Sequence, residues 1–481
     1  MCYHLRVLSP QDVKSSLYDR KRTRAASSAT ATLSRLRTAV IRMIDGRPHW
    51  QRFMGLTILF IAVSALWGYQ FIRAHLPLSF QDEYVYIDAV DKATRGIITR
   101  NNSLIDEYSI NVVSCRGVEM YGYQGSGCGA PVDPSKLPYE GYTTASIHSP
   151  VYFFITAWLS KLILLIRPGG DLLQTARITG ALWLGLGLAV TWVLVRRLGG
   201  NRTIAMSISL LLLASPMLRW SNFYVTPDSF SLLSGSLIFL CGLMIAREEW
   251  PSWTLIVISM VAGAIKFQML FATVAMALFI TLRQMNRRGS GGRWWRPALG
   301  AIAAVISGLV VQFSYQYLRI RFSLPYHGTF GSVDPAGPFS KSFAVEQLDN
   351  FIYYLYAGPA ATNRSVVYYY GLPHAFVIIS AALLVSALVA AALFSEEVSA
   401  DGRSLARSVL FSLIALGPLF YMYISISTGS IFELSPRYAE ALFPAYAIGL
   451  PLVVKDRRTK TLILLFAFVA IFFAMYNNDI R

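Results

Sequence analysis

Residues 53–72, FMGLTILFIAVSALWGYQFI, form an unbroken apolar run, and a short link joins it to Gln81-Asp82-Glu83-Tyr84-Val85-Tyr86. At 1.5 Å rise per residue a helical run of this length covers roughly 30 Å, the thickness of a bilayer's hydrocarbon core. The stretch therefore predicts a first membrane span that delivers two adjacent acids to the membrane edge. Comparable runs occur at about 176–195, 203–220, 229–246, 298–318, 374–394, 405–426, 437–454 and 460–476. The stretch 251–282 is too long for one span and is broken by Lys266. Read as one span, it would put Arg283, Arg287, Arg288, Arg293 and Arg296 on the outer side, against the positive-inside tendency. Two short spans meeting near Lys266 are expected instead.

Composition agrees. The 481 residues are 54% hydrophobic and only 14% charged, with a mean hydropathy of +0.47; soluble domains carry about 25% charged residues. The net charge of +17 raises the question of nucleic acid. Its concentration in the first 52 residues and in short loops such as Lys455–Lys460 answers it, because basic inner segments orient membrane proteins. The reading is an all-α polytopic membrane protein of about 11 spans, with no nucleic-acid partner, the N-terminus inside and the C-terminus outside. Residues 1–52 read as a basic cytoplasmic tail and 53–481 as the transmembrane domain. Segment 149–167, SPVYFFITAWLSKLILLIR, fits a helix lying at the outer interface, since counting it as a span would turn Arg196, Arg197 and Arg202 outward.

The long outer loops, 73–175 and 319–373, are where chemistry is expected, because every inner loop after the tail is short. On a helix starting near Asp82, Asp82, Tyr86 and Val90 share a face with Glu83 beside them. Adjacent carboxylates repel, which makes one of them a usable base, although acids also favour the first turn of a helix. Cys115 and Cys128 share the first outer loop, where a disulfide is permitted. Asp228 after Pro227 suits a metal site with Asp82, a sugar hydroxyl or a helix cap. Lys266 and Arg437 suit an anion or a membrane anchor, and His148 a donor role or a structural one. In the second loop, Tyr326, His327, Tyr353, Tyr354 and Tyr356 suit either a sugar ring or an interfacial belt.

Several of these pieces, in order, resemble GT-C fold glycosyltransferases such as lipid A aminoarabinose transferases, protein O-mannosyltransferases and mycobacterial arabinofuranosyltransferases. Gln81-Asp82-Glu83-Tyr84-Val85-Tyr86 looks like their first-loop Asp-Glu motif. Ile147-His148-Ser149-Pro150 holds the place of a His-Pro-Pro-Leu-like segment, with Ser149 departing from it. Ala176-Arg177-Ile178-Thr179-Gly180 resembles the second span, Gly263-Ala264-Ile265-Lys266 a Gly-x-x-x-Lys turn, and Ser435-Pro436-Arg437-Tyr438 with Pro444 an Arg-Tyr segment near the last outer loop.

The resemblance implies an inverting transfer of one sugar from a polyprenyl-phosphate carrier to a glycan, lipid or protein acceptor on the outer face of the cell membrane. It implies Asp82 and Glu83 as catalytic residues and Lys266, Arg437 and His148 at the donor phosphate. Asp228, Tyr86, Tyr326 and His327 are expected to face acceptor or sugar. A divalent cation (Mg, Mn or Ca) on Asp82 and Asp228 stays open. A transporter or flippase of a lipid-linked substrate is the alternative, though its ionisable residues would sit nearer the membrane midplane.

Overall fold

The computed structural model describes residues 49–73, 77–79, 82–118, 125, 127–133, 137–286, 295–327, 372–428 and 436–476. The chain divides into Met1–Leu56 and Thr57–Arg481. Apart from the start of the first helix, the expected tail over 1–52 lies outside the described residues, as do Tyr353, Tyr354 and Tyr356. Apart from Gly55 and the start of the first helix, everything below concerns the second unit.

Among the described residues the fold is all-α, with two isolated β-bridges, Leu78 with Val118 and Leu104 with Tyr142. The helices are α1 (His49–Arg73), α2 (Glu83–Thr94), α3 (Glu107–Arg116), α4 (Pro150–Ile166), α5 (Leu172–Arg197), α6 (Arg202–Leu213), α7 (Pro216–Phe223), α8 (Ser231–Ala246), α9 (Trp253–Ile265), α10 (Leu270–Asn286), α11 (Trp295–Arg321), α12 (Leu372–Val389), α13 (Ala400–Thr428), α14 (Tyr446–Val453) and α15 (Arg457–Tyr476). Short 3₁₀ segments precede α8, α10 and α14, at Pro227–Phe230, Phe267–Met269 and Pro436–Ala445.

Among the described residues, eight helical segments are long and apolar enough to cross a membrane, and the pair α6–α7, bent by 66°, makes up to nine. The protein is a multi-pass membrane protein. The remaining two of the eleven expected segments differ from a standard span. Helix α9 is an apolar helix of 13 residues, short of the roughly 20 that a bilayer needs. Residues 436–453 run as ten residues of 3₁₀ helix and eight of α-helix. Their rises of 2.0 and 1.5 Å per residue extend this segment to roughly 32 Å. Pro444 and Pro451 each remove a backbone donor from it. The bend in α6–α7 has a similar local cause: Ser215 accepts from Leu218 N at 3.5 Å and Pro216 opens the new helix, a start signal that ends the preceding one.

Helix α8 is the most buried span, whereas α11 and α15 lie at the periphery. Backbone contact sets where the 436–445 segment lies: a Cβ on Gly235 of α8 would fall 2.1 Å from the Ala441 carbonyl oxygen. Helix α4, where the interfacial helix is expected, exposes Trp158, Leu162, Leu165 and Ile166. The first loop is held by ionic contacts. Buried Asp88 accepts from Lys92 Nζ at 2.7 Å and from the Asp106 amide at 2.6 Å, and Lys92 also donates to the Leu104 carbonyl. Tyr108 donates to Asp171, the N-cap of α5. Cys115 and Cys128 form the expected disulfide.

Gly235→Ala is expected to lower the thermal midpoint in detergent by the equivalent of about 1–3 kcal/mol, the usual penalty for overpacking. Gly55→Ala, with open space around its Cβ, is the control; equal midpoints for the two variants would show that the Gly235 contact does not matter.

Candidate active site

Glu83 opens α2 and is fully buried. Its Oε1 accepts from Arg177 Nε at 2.8 Å and from the Val225 amide at 3.0 Å; its Oε2 accepts from Arg177 Nη2 at 2.8 Å and from the Ser79 amide at 2.9 Å. An ionised carboxylate has about four acceptor positions, and all four are filled. Arg177 also donates to the Pro77 carbonyl and lies 4.8 Å from the centroid of the Tyr224 ring. Glu83 is thereby an anchor joining α1's exit, α2, α5 and the segment before α8. Asp82 and Glu83, expected together as the catalytic acids, turn their carboxylates to different partners.

Asp82 has a left-handed backbone, φ +66°, and its carbonyl accepts from the Val85 and Tyr86 amides. An Asp at this position ordinarily turns its side chain back onto helix amides; here it makes no such cap bond. Its Oδ1 accepts from Thr144 Oγ1 at 2.8 Å and its Oδ2 lies 3.5 Å from Arg437 Nη2. With 19% of its side chain exposed, against 1% each for Glu83 and Asp228, it is the most accessible of these three carboxylates. Strained backbone of this kind clusters at functional sites.

Asp228 sits in the 3₁₀ turn before α8 and is buried. The capping role that the sequence left open for it falls to Thr226, whose hydroxyl accepts from the Asp228 amide at 3.3 Å and donates to Asp228 Oδ2 at 3.0 Å. Asp228 Oδ1 is paired with Lys266 Nζ, and Oδ2 lies 3.8 Å from Arg437 Nη1. Lys266 lies in extended conformation where α9 ends and the 3₁₀ turn begins, which is the expected break between two short segments. Ser149 Oγ donates to the Ala264 carbonyl beside this break. Arg437 thus stands between Asp82 and Asp228, and its guanidinium lies 5.2 Å from the Tyr438 ring and 5.9 Å from the Trp220 ring. Its Nε is buried without a hydrogen-bond partner.

Tyr86 OH and His148 Nε2 are 3.2 Å apart. Burial, with the charge of Lys266 next in weight, pushes the His148 imidazole down to about 3. Burial and the Asp82 carboxylate hold the Tyr86 phenol well above its ordinary value. Both groups are therefore neutral at physiological pH.

The structure brings together Asp82, Tyr86, His148, Asp228, Lys266 and Arg437. The described contacts of Tyr326 and His327 do not reach this cluster: the Tyr326 ring lies 4.7 Å from that of Tyr142, and His327 is exposed. The carboxylates also do not fit a divalent cation. A guanidinium separates Asp82 from Asp228, Asp228 already carries Lys266, and a dication beside two cations is repelled. No group of three or more His, Cys, Asp or Glu suited to a metal occurs among the described residues.

Two residues escaped the sequence reading. Arg177, inside an apolar span, carries its own signal, since a charge there demands a partner. Glu440 is fully buried, within the influence of Asp228, Lys266 and Arg437. Three residues beyond Arg437, it is an acid in an otherwise apolar run.

No family model matches the sequence, and no curated protein matches it. Among solved structures, the chain is similar to ArnT from Cupriavidus metallidurans bound to undecaprenyl phosphate, at 18% identity and a TM-score of 0.45, covering 85% of this chain and 62% of that one. The chain thus spans less than two thirds of the length of that structure.

Glu83→Gln is expected to destabilise the fold by about 3–5 kcal/mol, because it leaves the Arg177 guanidinium uncompensated. The double variant Glu83→Gln, Arg177→Met should recover part of that loss in thermal unfolding; additive losses would contradict the coupling. For His148 the unfolded chain takes up a proton near pH 6.5 and the folded chain only near pH 3. Stability from this residue is therefore present above pH 6.5 and falls as pH drops between those values. His148→Gln should flatten that part of the pH–stability curve, and an unchanged curve would refute the assignment.

Proposed function

We propose that the protein is a GT-C type membrane glycosyltransferase that moves a sugar from a polyprenyl-phosphate carrier to an acceptor hydroxyl. The observation that carries the reading is the Asp82–Arg437 contact at 3.5 Å. The most accessible carboxylate of the cluster lies beside a cation held in a second carboxylate's field, which supports reading Asp82 as the base and Arg437 as part of an anion site.

In this reading the acceptor oxygen attacks the anomeric carbon while its proton passes to Asp82. The bond from that carbon to the phosphate oxygen breaks on the opposite face, which inverts the centre. The carrier departs as a phosphate monoester with one more negative charge, which Arg437 and Lys266 stabilise. Asp228 holds both cations in place, and Tyr86 and His148 line the site as neutral hydrogen-bonding groups. The sugar and the acceptor, whether glycan, lipid or protein, are set by contacts beyond these residues. The basic segments 1–52 and 455–460 favour a cytoplasmic N-terminus and a site on the outer face of the cell membrane.

A flippase reading draws on the bend between α6 and α7 and on the buried Lys266, since broken helices with intramembrane charges are features of transporters. One experiment separates the two. Asp82→Asn is expected to abolish sugar transfer from a polyprenyl-phosphate donor, by about 10²-fold or more for a lost base, at normal membrane abundance. Unchanged transfer removes Asp82 from this role, and movement of labelled lipid in vesicles without any sugar transfer by the wild-type protein favours the flippase.

A further inference from the structure

Arg219 of α7 is 1% exposed, yet it is satisfied unlike the other fully buried arginine. Arg177 has its bidentate carboxylate. Arg219 makes one described hydrogen bond, from Nη1 to the Ala474 carbonyl at 3.4 Å near the end of α15, while Nε and Nη2 have none. Among the described residues no carboxylate forms an ion pair with it. Its guanidinium lies 5.7 Å from the Trp67 ring centroid and 5.3 Å from that of Phe71, both on α1. One face of α1 adds two further buried polar groups without hydrogen bonds, Trp67 Nε1 and Ser64 Oγ.

The indole and guanidinium groups are donors only, and the hydroxyl can donate. A desolvated guanidinium without a counter-ion costs several kcal/mol, and its fork of donors matches a phosphate. The position identifies the source of such a phosphate. Trp67 lies six residues before the end of α1, about 9 Å along the axis, and Ala474 is close to the end of α15. Both helix ends belong to the end of the bundle that carries Asp82. Both helices also expose large apolar side chains, among them Leu66, Tyr69 and Phe472.

We propose that Arg219, with Trp67 and Ser64, binds the phosphate of a lipid from the leaflet at this end of the bundle, in the seam between α1, α7 and α15. The site is separate from the Asp82 cluster but adjoins it through the next residue: Trp220 donates to Ser79 Oγ at 3.1 Å and packs against Arg437. Lipid bound at Arg219 therefore braces the helix that forms one wall of the candidate active site. The proposal requires only a multi-pass membrane protein and stands whether or not sugar transfer is the activity.

The test is thermal unfolding and native mass spectrometry of the full-length, delipidated protein with added dioleoylphosphatidylglycerol, undecaprenyl phosphate or the phosphate-free dioleoylglycerol. Bound lipid and a raised midpoint are expected with a phosphate lipid for the wild type. Arg219→Gln should weaken retention of that lipid about tenfold, since the bidentate charge is lost. Arg219→Met, similar in volume, serves if the Gln variant fails to accumulate. A response to undecaprenyl phosphate alone assigns the site to carrier lipid, and a response to phosphatidylglycerol assigns it to bulk lipid; both support a lipid phosphate. Identical lipid responses in wild type and variants would overturn the proposal.

Discussion

An ion pair buried at the end of an apolar bundle is stable only when its remaining lone pairs and protons are also met. Glu83 and Arg177 meet that condition with two mutual hydrogen bonds, two backbone amides on the carboxylate and a carbonyl on the guanidinium. The consequence is geometric. The amides belong to Ser79 and Val225, so one side chain fixes the chain leaving α1, the start of α2, and the approach to Asp228. Asp82 is the residue just before this anchor, and its left-handed backbone turns it away from the α2 amides toward Thr144 and Arg437. The accessible carboxylate owes its place to the inaccessible one.

Around Asp82 the charges are arranged as an alternation: Asp82, Arg437, Asp228, Lys266. Each cation is held by an acid and none is satisfied as fully as Arg177. Arg437 in particular keeps a buried Nε without a partner. Under the proposed transfer, a site that must receive an anion and release it needs cations that are fixed in position but retain donors. Glu440 adds a further buried acid beside these pairs.

Much of the bundle was readable because membrane spans are written in hydropathy. The run at 53–72, the break at Lys266 and the helix beginning at Pro150 were all read from apolar length and charge placement. Asp82 was readable from its position after the first span. The division of labour between Asp82 and Glu83 was not, since adjacent acids on one helix start look alike until the backbone angle at Asp82 separates them. Thr226 as the cap in place of Asp228 was hidden for a related reason: either residue type caps a helix, and only the register of the 3₁₀ turn decides. The run at 437–454 was legible as a span; that its first ten residues are 3₁₀ helix was not. Ser149 appeared as a departure from a motif; its hydroxyl proves to tie the loop carrying His148 to the helix break carrying Lys266.

A common feature of the cluster explains why it lies at one end of the bundle. In a regular α-helix every interior backbone group is satisfied within the helix, which suits lipid but leaves little polar geometry to offer a substrate. Each residue of the cluster sits at a discontinuity: Asp82 in left-handed backbone, His148 after a 3₁₀ turn, Asp228 inside one, Lys266 in an extended residue between two helical segments, and Arg437 in a ten-residue 3₁₀ run. At such points side chains leave the helical lattice and can converge from separate elements. Irregular backbone at membrane depth is tolerated only where protein or water covers it. The close approach of Gly235 to the Ala441 carbonyl and the burial of α8 supply that cover. The tight packing behind the cluster and its polar character in front are therefore one requirement: without the first, the broken helices that make the second could not persist in a membrane.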